Sequence, residues 1–184
     1  MRNLNRIKSY NGIKKEGALG MGKALQKCQN LSTFHLKLIA NHIKDDGLKE
    51  LALGIANCQN LKILSLDNQI EDLGVQFFGK ELEKNINLNQ LTLGFSYNLI
   101  TKFALFGQEK LQLSSNLQKI TIELIKNKLD QQGAVNIGSS IIQFSNLTDL
   151  TLDLSLNKIG DETIYFLASQ IIQCADLFKF QLNL

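Results

Sequence analysis

The sequence contains no proline, no tryptophan and only three cysteines among its 184 residues. The cysteines are Cys28, Cys58 and Cys174, an odd number without a close pair, which argues against both a disulfide framework and a zinc site. All three occupy the same place in the repeat described below. We therefore expect them to be small apolar side chains that are buried at the end of a unit.

A strong excess of one charge is also missing, because 20 basic residues stand against 17 acidic ones and the net charge is only +3. This balance gives no reason to expect nucleic acid or a membrane surface as a partner. No segment approaches the roughly 20 apolar residues of a membrane span, and the N-terminus lacks the apolar run of a secretory signal. We therefore expect a protein of the cytoplasm or of another intracellular compartment.

What the sequence does contain is one motif that recurs along the chain. The stretch LTLDLSLN, residues 150–157, places leucine at every second position, which is typical of a strand with one buried face, and it ends on Asn157. Copies of the motif, two of them shortened, recur every 27 to 30 residues, and a period of that size is typical of a solenoid. The copies begin at Leu4, Leu31, Leu61, Leu88, Leu117, Leu147 and Leu177.

The second half of each repeat predicts a helix. Apolar residues at positions i, i+3, i+4 and i+7, such as Leu48, Leu51, Ala52 and Ile55, lie on one side of a helix. An aspartate just ahead is suited to cap the helix, and a small residue within it should let the helix approach the sheet. The asparagine at the strand exit should satisfy backbone groups at the turn. The capping residues are Asp45, Asp72 and Asp161, and the small residues are Gly22, Ala52, Gly79, Gly138 and Ala168.

The repeated motif resembles the repeat of the leucine-rich repeat family, and its long copies are similar to those of the ribonuclease-inhibitor-like subfamily. This resemblance implies an α/β solenoid, or horseshoe, with a parallel β-sheet on the concave face, helices on the convex face, and six repeats followed by a terminal strand. By length the chain is a single domain, residues 1–184. Polar caps at the ends of the solenoid are missing from the pattern, so we expect either a fragment of a larger repeat protein or ends that neighbouring subunits cover.

The resemblance also implies that the strand residues between the leucines form the recognition face. Counted from the first leucine of each copy, these residues fall into columns, one of which includes Ile63, Gln90 and Lys119, and another Ser65, Thr92, Thr121 and Thr151. These positions include no aromatic stripe and no basic stripe, so stacking on bases and tracking of phosphates are unsupported. A mixed polar surface with acidic positions suits protein recognition, in which charge sets orientation more than affinity. The candidate partner-binding residues are Thr33, His35, Lys37, Ser65, Asp67, Thr92, Lys119, Thr121, Glu123, Asp149, Thr151 and Asp153.

These observations predict a non-catalytic protein-protein interaction scaffold, either as a subunit of a larger assembly or as a piece of a larger repeat protein. The resemblance leaves one alternative open, a regulator of a small GTPase, because similar leucine-rich repeat proteins include GTPase activators. No pair of side chains is singled out as a nucleophile and its base, and we expect no catalytic residue, cofactor or metal.

A third interpretation, nucleotide binding, comes from the stretch GALGMGKA, residues 17–24. It matches the first seven positions of a phosphate-binding loop, but Ala24 stands where the magnesium-binding hydroxyl belongs. Gly17 and Gly22 also occupy the same repeat positions as Gly74 and Gly79. The repeat therefore explains this stretch better than nucleotide binding does.

Overall fold

The computed structural model describes residues 11–28, 35–38, 41–56, 63–65, 69–85, 88–103, 105 and 116–184. Within them five helices and six strands of a single sheet follow one another along the chain, in alternation except that β4 follows β3 directly among the described elements. The helices are α1 (Lys15–Gln26), α2 (Lys44–Ile55), α3 (Asp72–Leu82), α4 (Gln131–Ile141) and α5 (Asp161–Ile171). The strands are β1 (His35–Lys37), β2 (Ile63–Ser65), β3 (Gln90–Gly94), β4 (Lys119–Glu123), β5 (Asp149–Asp153) and β6 (Lys179–Asn183).

Some predictions concern residues beyond this description. They are the repeat starts at Leu4, Leu31 and Leu61, the thiol of Cys58, and the candidate binding residues Thr33 and Asp67. For His35, Lys37 and Ser65 the backbone lies in a described strand, whereas the side chain lies outside the description.

The sheet is parallel, and its strands lie side by side in chain order from β1 to β6. In β3, β4 and β5 every second residue is buried, as Leu150 and Leu152 are in β5. These side chains share one core with helix residues such as Ile137 and Leu167, so the helices cover the leucine-bearing face of the sheet. The alternation of leucines therefore produces the predicted α/β architecture, because neither a strand nor its helix can bury its apolar face alone.

The asparagines at the strand exits form a ladder between units, as their predicted role requires. The Asn98 Oδ1 atom accepts from the Ile70 N–H at 2.8 Å, and its Nδ2 group donates to the Phe95 carbonyl at 2.9 Å. One amide thus satisfies a backbone donor of the preceding unit and a backbone acceptor of its own unit. The same acceptor bond joins Asn41 to Ile13, Asn127 to Ile100 and Asn157 to Leu129, at 3.0 to 3.1 Å.

We expect the Asn98→Leu variant to lose about 2 kcal/mol of unfolding free energy. Asn98 is only 4% exposed, so the Ile70 N–H would be left without its acceptor inside the protein, at about 1–3 kcal/mol for such a group, whereas the Phe95 carbonyl would still accept from Asn127. Urea unfolding measures the change. The Asn98→Asp variant serves as a comparison, because it keeps an acceptor for Ile70 but replaces the amide donor with a carboxyl group, whose charged form is costly to bury. A leucine variant as stable as the wild type would contradict the role of the ladder.

The predicted helix caps are wrong for Asp45 and Asp72, because these carboxylates bind the next unit and not their own helix. The Asp45 Oδ1 atom accepts from the Glu71 N–H at 2.8 Å. The Asp72 carboxylate accepts from the N–H groups of Thr101 and Lys102, at 2.9 and 2.8 Å, and from the Thr101 hydroxyl. These aspartates therefore join units, because the first turn of a helix lies beside the turn of the following repeat.

The cap prediction also fails at α5. Asp161 is the first residue of α5, where Gly160 holds the cap position and no side chain caps the helix. A side-chain cap that the sequence analysis missed is present at α4, where the Asp130 Oδ1 atom accepts from the Gly133 N–H at 2.9 Å.

The small helix residues let each helix approach the following unit, and not the sheet as predicted. A Cβ atom on Gly22 of α1 would lie 2.2 Å from the Glu50 carbonyl oxygen of α2. On Gly138 of α4 it would lie 3.1 Å from the Gln170 Cγ atom of α5. The equivalent Ala52 is buried, whereas Ala168 in the last helix is exposed. The position is therefore buried by the unit that follows it.

The predicted burial of the cysteines is wrong for Cys28, which is exposed and whose thiol donates to the Ala24 carbonyl at 3.3 Å. Cys174 is half-buried, and this burial raises the pKa of its thiol. The equivalent residue of the fifth unit, Phe144, is fully buried. Burial at this position therefore depends on the place of the unit in the stack.

Candidate functional site

The candidate site is the face of the sheet that lies opposite the helices, which we call the open sheet face. In β3, β4 and β5 its side chains alternate with the buried leucines and isoleucines, because successive strand residues point to opposite sides. Its members with described side chains are Gln90, Thr92, Lys119, Thr121, Glu123, Asp149, Thr151, Asp153, Lys179, Gln181 and Asn183. Seven of the twelve predicted binding residues are among them.

The register of the strands arranges these residues in three rows that run across the sheet. The first row is Gln90, Lys119, Asp149 and Lys179; the middle row includes Thr92, Thr121, Thr151 and Gln181; the third includes Gly94, Glu123, Asp153 and Asn183. Neighbouring strands lie about 4.8 Å apart, so the members of a row are close neighbours. The structure therefore brings the threonines together as predicted, and flanks them with charged residues on both sides.

The third row carries two acidic residues on adjacent strands, Glu123 and Asp153. Glu123 is exposed, and Asp153 is held in place by two hydrogen bonds. Its Oδ1 atom accepts from the Ser155 N–H at 3.1 Å, and its Oδ2 atom accepts from the Asn183 Nδ2 group at 2.9 Å. The first row is mixed in sign, since Asp149 lies between Lys119 and Lys179. Negative charge is thus concentrated at the end of the strands where the chain turns toward the helices.

The predicted rows are wrong for the third repeat. Counting from its first leucine places Ser65 with the threonines and Ile63 in the first row. The register instead pairs Ile63 with His35 and Thr92, and it pairs Ser65 with Lys37 and Gly94. This copy has three fewer residues before its asparagine, so an alignment on its first leucine misplaces the strand by two residues.

A ridge of exposed side chains beside the open sheet face was not predicted. Tyr97, Lys126 and Leu156 each precede the asparagine of their unit, and all three adopt left-handed backbone angles, with φ of 60°, 54° and 59°. The Lys126 ammonium lies 5.4 Å from the centre of the Tyr97 ring, and Leu156 is 71% exposed. Non-glycine residues seldom adopt this conformation, so the residue types did not indicate it. The only feature of the sequence that these three residues share is their position directly before the asparagine.

The glycine-rich stretch at residues 17–24 lies wholly within α1. A phosphate-binding loop needs an irregular backbone that wraps the anion, and a continuous helix cannot provide one. In the described ranges, no three His, Cys, Asp or Glu side chains come together as ligands for a metal ion would. Nor does any helix in the same part of the chain combine the length and the apolar character needed to cross a membrane.

A single ion pair between described units connects α1 to α2, away from the open sheet face. The Lys15 ammonium lies 2.9 Å from the Asp46 Oδ2 atom. This hydrogen bond raises the pKa of Lys15 and lowers the pKa of Asp46. Both groups are exposed to water, so the pair contributes little to stability.

No protein-family model matches the sequence, and no curated protein matches it. Among solved structures, the crystal structure of internalin C2 from Listeria monocytogenes is similar to this chain. The two sequences are 25% identical, the match covers 95% of this chain and 78% of the other, and the TM-score is 0.41. A similarity at this TM-score adds nothing to the geometry described above.

Proposed function

We propose that this chain is a leucine-rich repeat interaction scaffold, of the ribonuclease-inhibitor-like type, that binds a protein partner on the open sheet face. In this proposal six repeats curve into a horseshoe with the open sheet face on its concave side. The observation that carries the proposal is the row of polar and acidic side chains on adjacent, hydrogen-bonded strands. A rigid backbone presents these groups at fixed spacing, which lowers the entropy that ordering would otherwise cost on binding.

The charge pattern indicates the chemistry of the partner. Glu123 and Asp153 are neighbours in the third row, and the basic residue that the register places in this row, Lys37, lies three strands away from Glu123. A partner that places lysine or arginine against these two residues would be oriented by them, while the neutral threonine row provides contact area. Because charge acts mainly on orientation and on the rate of association, replacing the two acids should reduce binding most at low salt.

The test uses tagged protein to capture partners from an extract of its native source, followed by mass spectrometry. We expect the double variant Glu123→Lys, Asp153→Lys to lose partners that the wild type retains, with at least a tenfold drop in the amount captured. A double replacement with the same change in net charge, Glu71→Lys, Asp176→Lys, is the matched control, because both residues are exposed and lie outside the strands. The control should capture the wild-type set.

Two comparisons keep this result interpretable. Thermal unfolding of both double variants shows whether the loss of the Asp153 hydrogen bonds has damaged the fold, and Asp153→Asn removes the charge alone. If the lysine variant is folded and captures every partner that the control captures, the open sheet face is not the recognition surface. If both double variants lose the same partners, net charge and not position determines the binding.

A further inference from the structure

A groove of about 740 Å³ lies between α2 and α3, on the opposite side of the molecule from the open sheet face. Part of its wall is apolar, because Leu73 and Phe77 lie one helical turn apart on α3. Leu73 is 74% exposed, and Phe77 is partly buried against the core. These two side chains, which we call the apolar strip, belong to an internal unit, since α2 precedes α3 in the stack and β4 follows it.

The repeat does not require a leucine at position 73. Leu73 stands five residues after the asparagine of its unit, and the same position in the other four described helices holds an exposed polar or acidic side chain. The residues there are Glu16, Asp46, Gln132 and Glu162. Stacking of the units therefore does not account for Leu73, and an apolar side chain that is exposed beside a groove is typical of an interaction surface.

Two ammonium groups flank the apolar strip. The Lys49 ammonium of α2 lies 4.9 Å from the centre of the Phe77 ring. Lys80 follows Phe77 by three residues and therefore lies on the same side of α3, where it is exposed. No described carboxylate forms an ion pair with Lys49 or with Lys80. The groove thus combines an apolar contact surface with two positive charges.

Three carboxylates also line the groove, and each of them is already engaged within the chain. Asp45 accepts from the Glu71 N–H at 2.8 Å. Asp46 is paired with Lys15 across the junction with α1. Glu83, at the far end of the groove, also has an interaction within the chain. The charges that the groove offers to a partner are therefore the two ammonium groups beside the apolar strip.

We propose that this groove binds an acidic amphipathic helix of a partner protein. An apolar side chain of that helix would pack between Leu73 and Phe77, and its carboxylates would pair with Lys49 and Lys80. Helix α3 has 11 residues and is about 16 Å long, so about three turns of the partner helix can lie along it. The inference is independent of the proposed function, because the open sheet face lies on the other side of the molecule and offers acidic groups. The chain would hold two partners of opposite charge at once.

The test selects peptides from a phage-displayed library of helix-forming sequences, with the full wild-type chain as the target. We expect it to enrich acidic peptides that carry apolar residues at positions i and i+4. By fluorescence anisotropy, an enriched peptide should bind the Leu73→Gln and Lys80→Gln variants about tenfold more weakly than the wild type. Added salt should weaken binding to the wild type more than binding to Lys80→Gln. The matched controls are Leu156→Gln and Lys158→Gln, at exposed positions outside the groove, and they should bind as the wild type does.

Several results would overturn the proposal. One is a selection that enriches only basic or neutral peptides, or none at all. Another is a set of acidic peptides that bind Leu73→Gln and Lys80→Gln as tightly as the wild type, because such peptides bind elsewhere. A third is self-association of the wild type in sedimentation velocity that Leu73→Gln abolishes, which would assign the groove to a second copy of this chain. Thermal unfolding checks that both variants are folded, as expected for replacements of exposed helix residues.

Discussion

The Gly79→Ala variant is expected to lose about 3 kcal/mol of unfolding free energy, although alanine is the better helix former. Gly79 lies in α3, and a Cβ atom at this position would lie 1.3 Å from the Leu105 carbonyl oxygen and 2.4 Å from its carbon. Both atoms belong to the backbone of a residue that is itself buried. Neither can move aside as the end of a flexible side chain could, so the added methyl group must displace a segment of the chain.

The matched control is Gly20→Ala in α1, where a Cβ atom would have nothing within 4 Å. Here the same replacement should raise the unfolding free energy by about 0.5–1 kcal/mol, because alanine loses less backbone entropy on folding. Urea unfolding of both variants therefore tests a difference in sign. A Gly79→Ala variant at least as stable as the wild type would show that α3 does not approach Leu105 closely.

The second large effect is expected for Phe95→Ala, which should lose about 3–5 kcal/mol. Phe95 is 1% exposed, and its ring lies edge-on between two other buried rings. The ring centres of Phe95 and Phe78 are 5.9 Å apart, and those of Phe95 and Phe103 are 6.0 Å apart. Truncation to alanine removes both aromatic contacts and leaves a cavity that the surrounding strands and helices can fill only in part.

The repeat itself supplies the control for this prediction. The residues equivalent to Phe95 are Leu124 and Leu154, which are both buried. The Phe95→Leu variant should therefore fit the position and lose only about 1–2 kcal/mol, mainly through the aromatic contacts. Urea unfolding separates the two cases. Equal losses for alanine and leucine would show that the aromatic cluster, and not the filled volume, determines stability at this position.

Features that depend on one unit could be predicted from the sequence. The alternation in LTLDLSLN specifies which strand residues are buried, and the hydrogen-bonding capacity of Asn157 specifies where the turn is stabilised. Features that depend on two units could not be predicted in the same way. The repeat positions of Asp45 and Gly22 are evident in the sequence, but the group that each one meets belongs to the following unit. Periodicity gives a residue its place within a unit and does not give the offset between units.

In the candidate site, too, features of single units could be predicted and features that depend on two units could not. The row of Thr92, Thr121 and Thr151 could be predicted because those three copies have the same length before the asparagine. Ser65 was misplaced because its copy is shorter, and only the hydrogen bonds between strands determine the register. The left-handed conformation of Leu156 has no signal in its residue type, since leucine does not favour it.

The edge strands of the described sheet are paired on one side only, and this has a consequence for how the chain opens. A strand such as β4 has neighbours on both sides, whereas β6 is paired only with β5 among the described strands. When stability is the sum of contacts between neighbouring units, the free energy needed to open a unit locally falls toward the end of the array. Local opening should therefore be more frequent at β1 and β6, the edges of the described sheet, than at β3, β4 and β5, which keep the spacing of their surface rows.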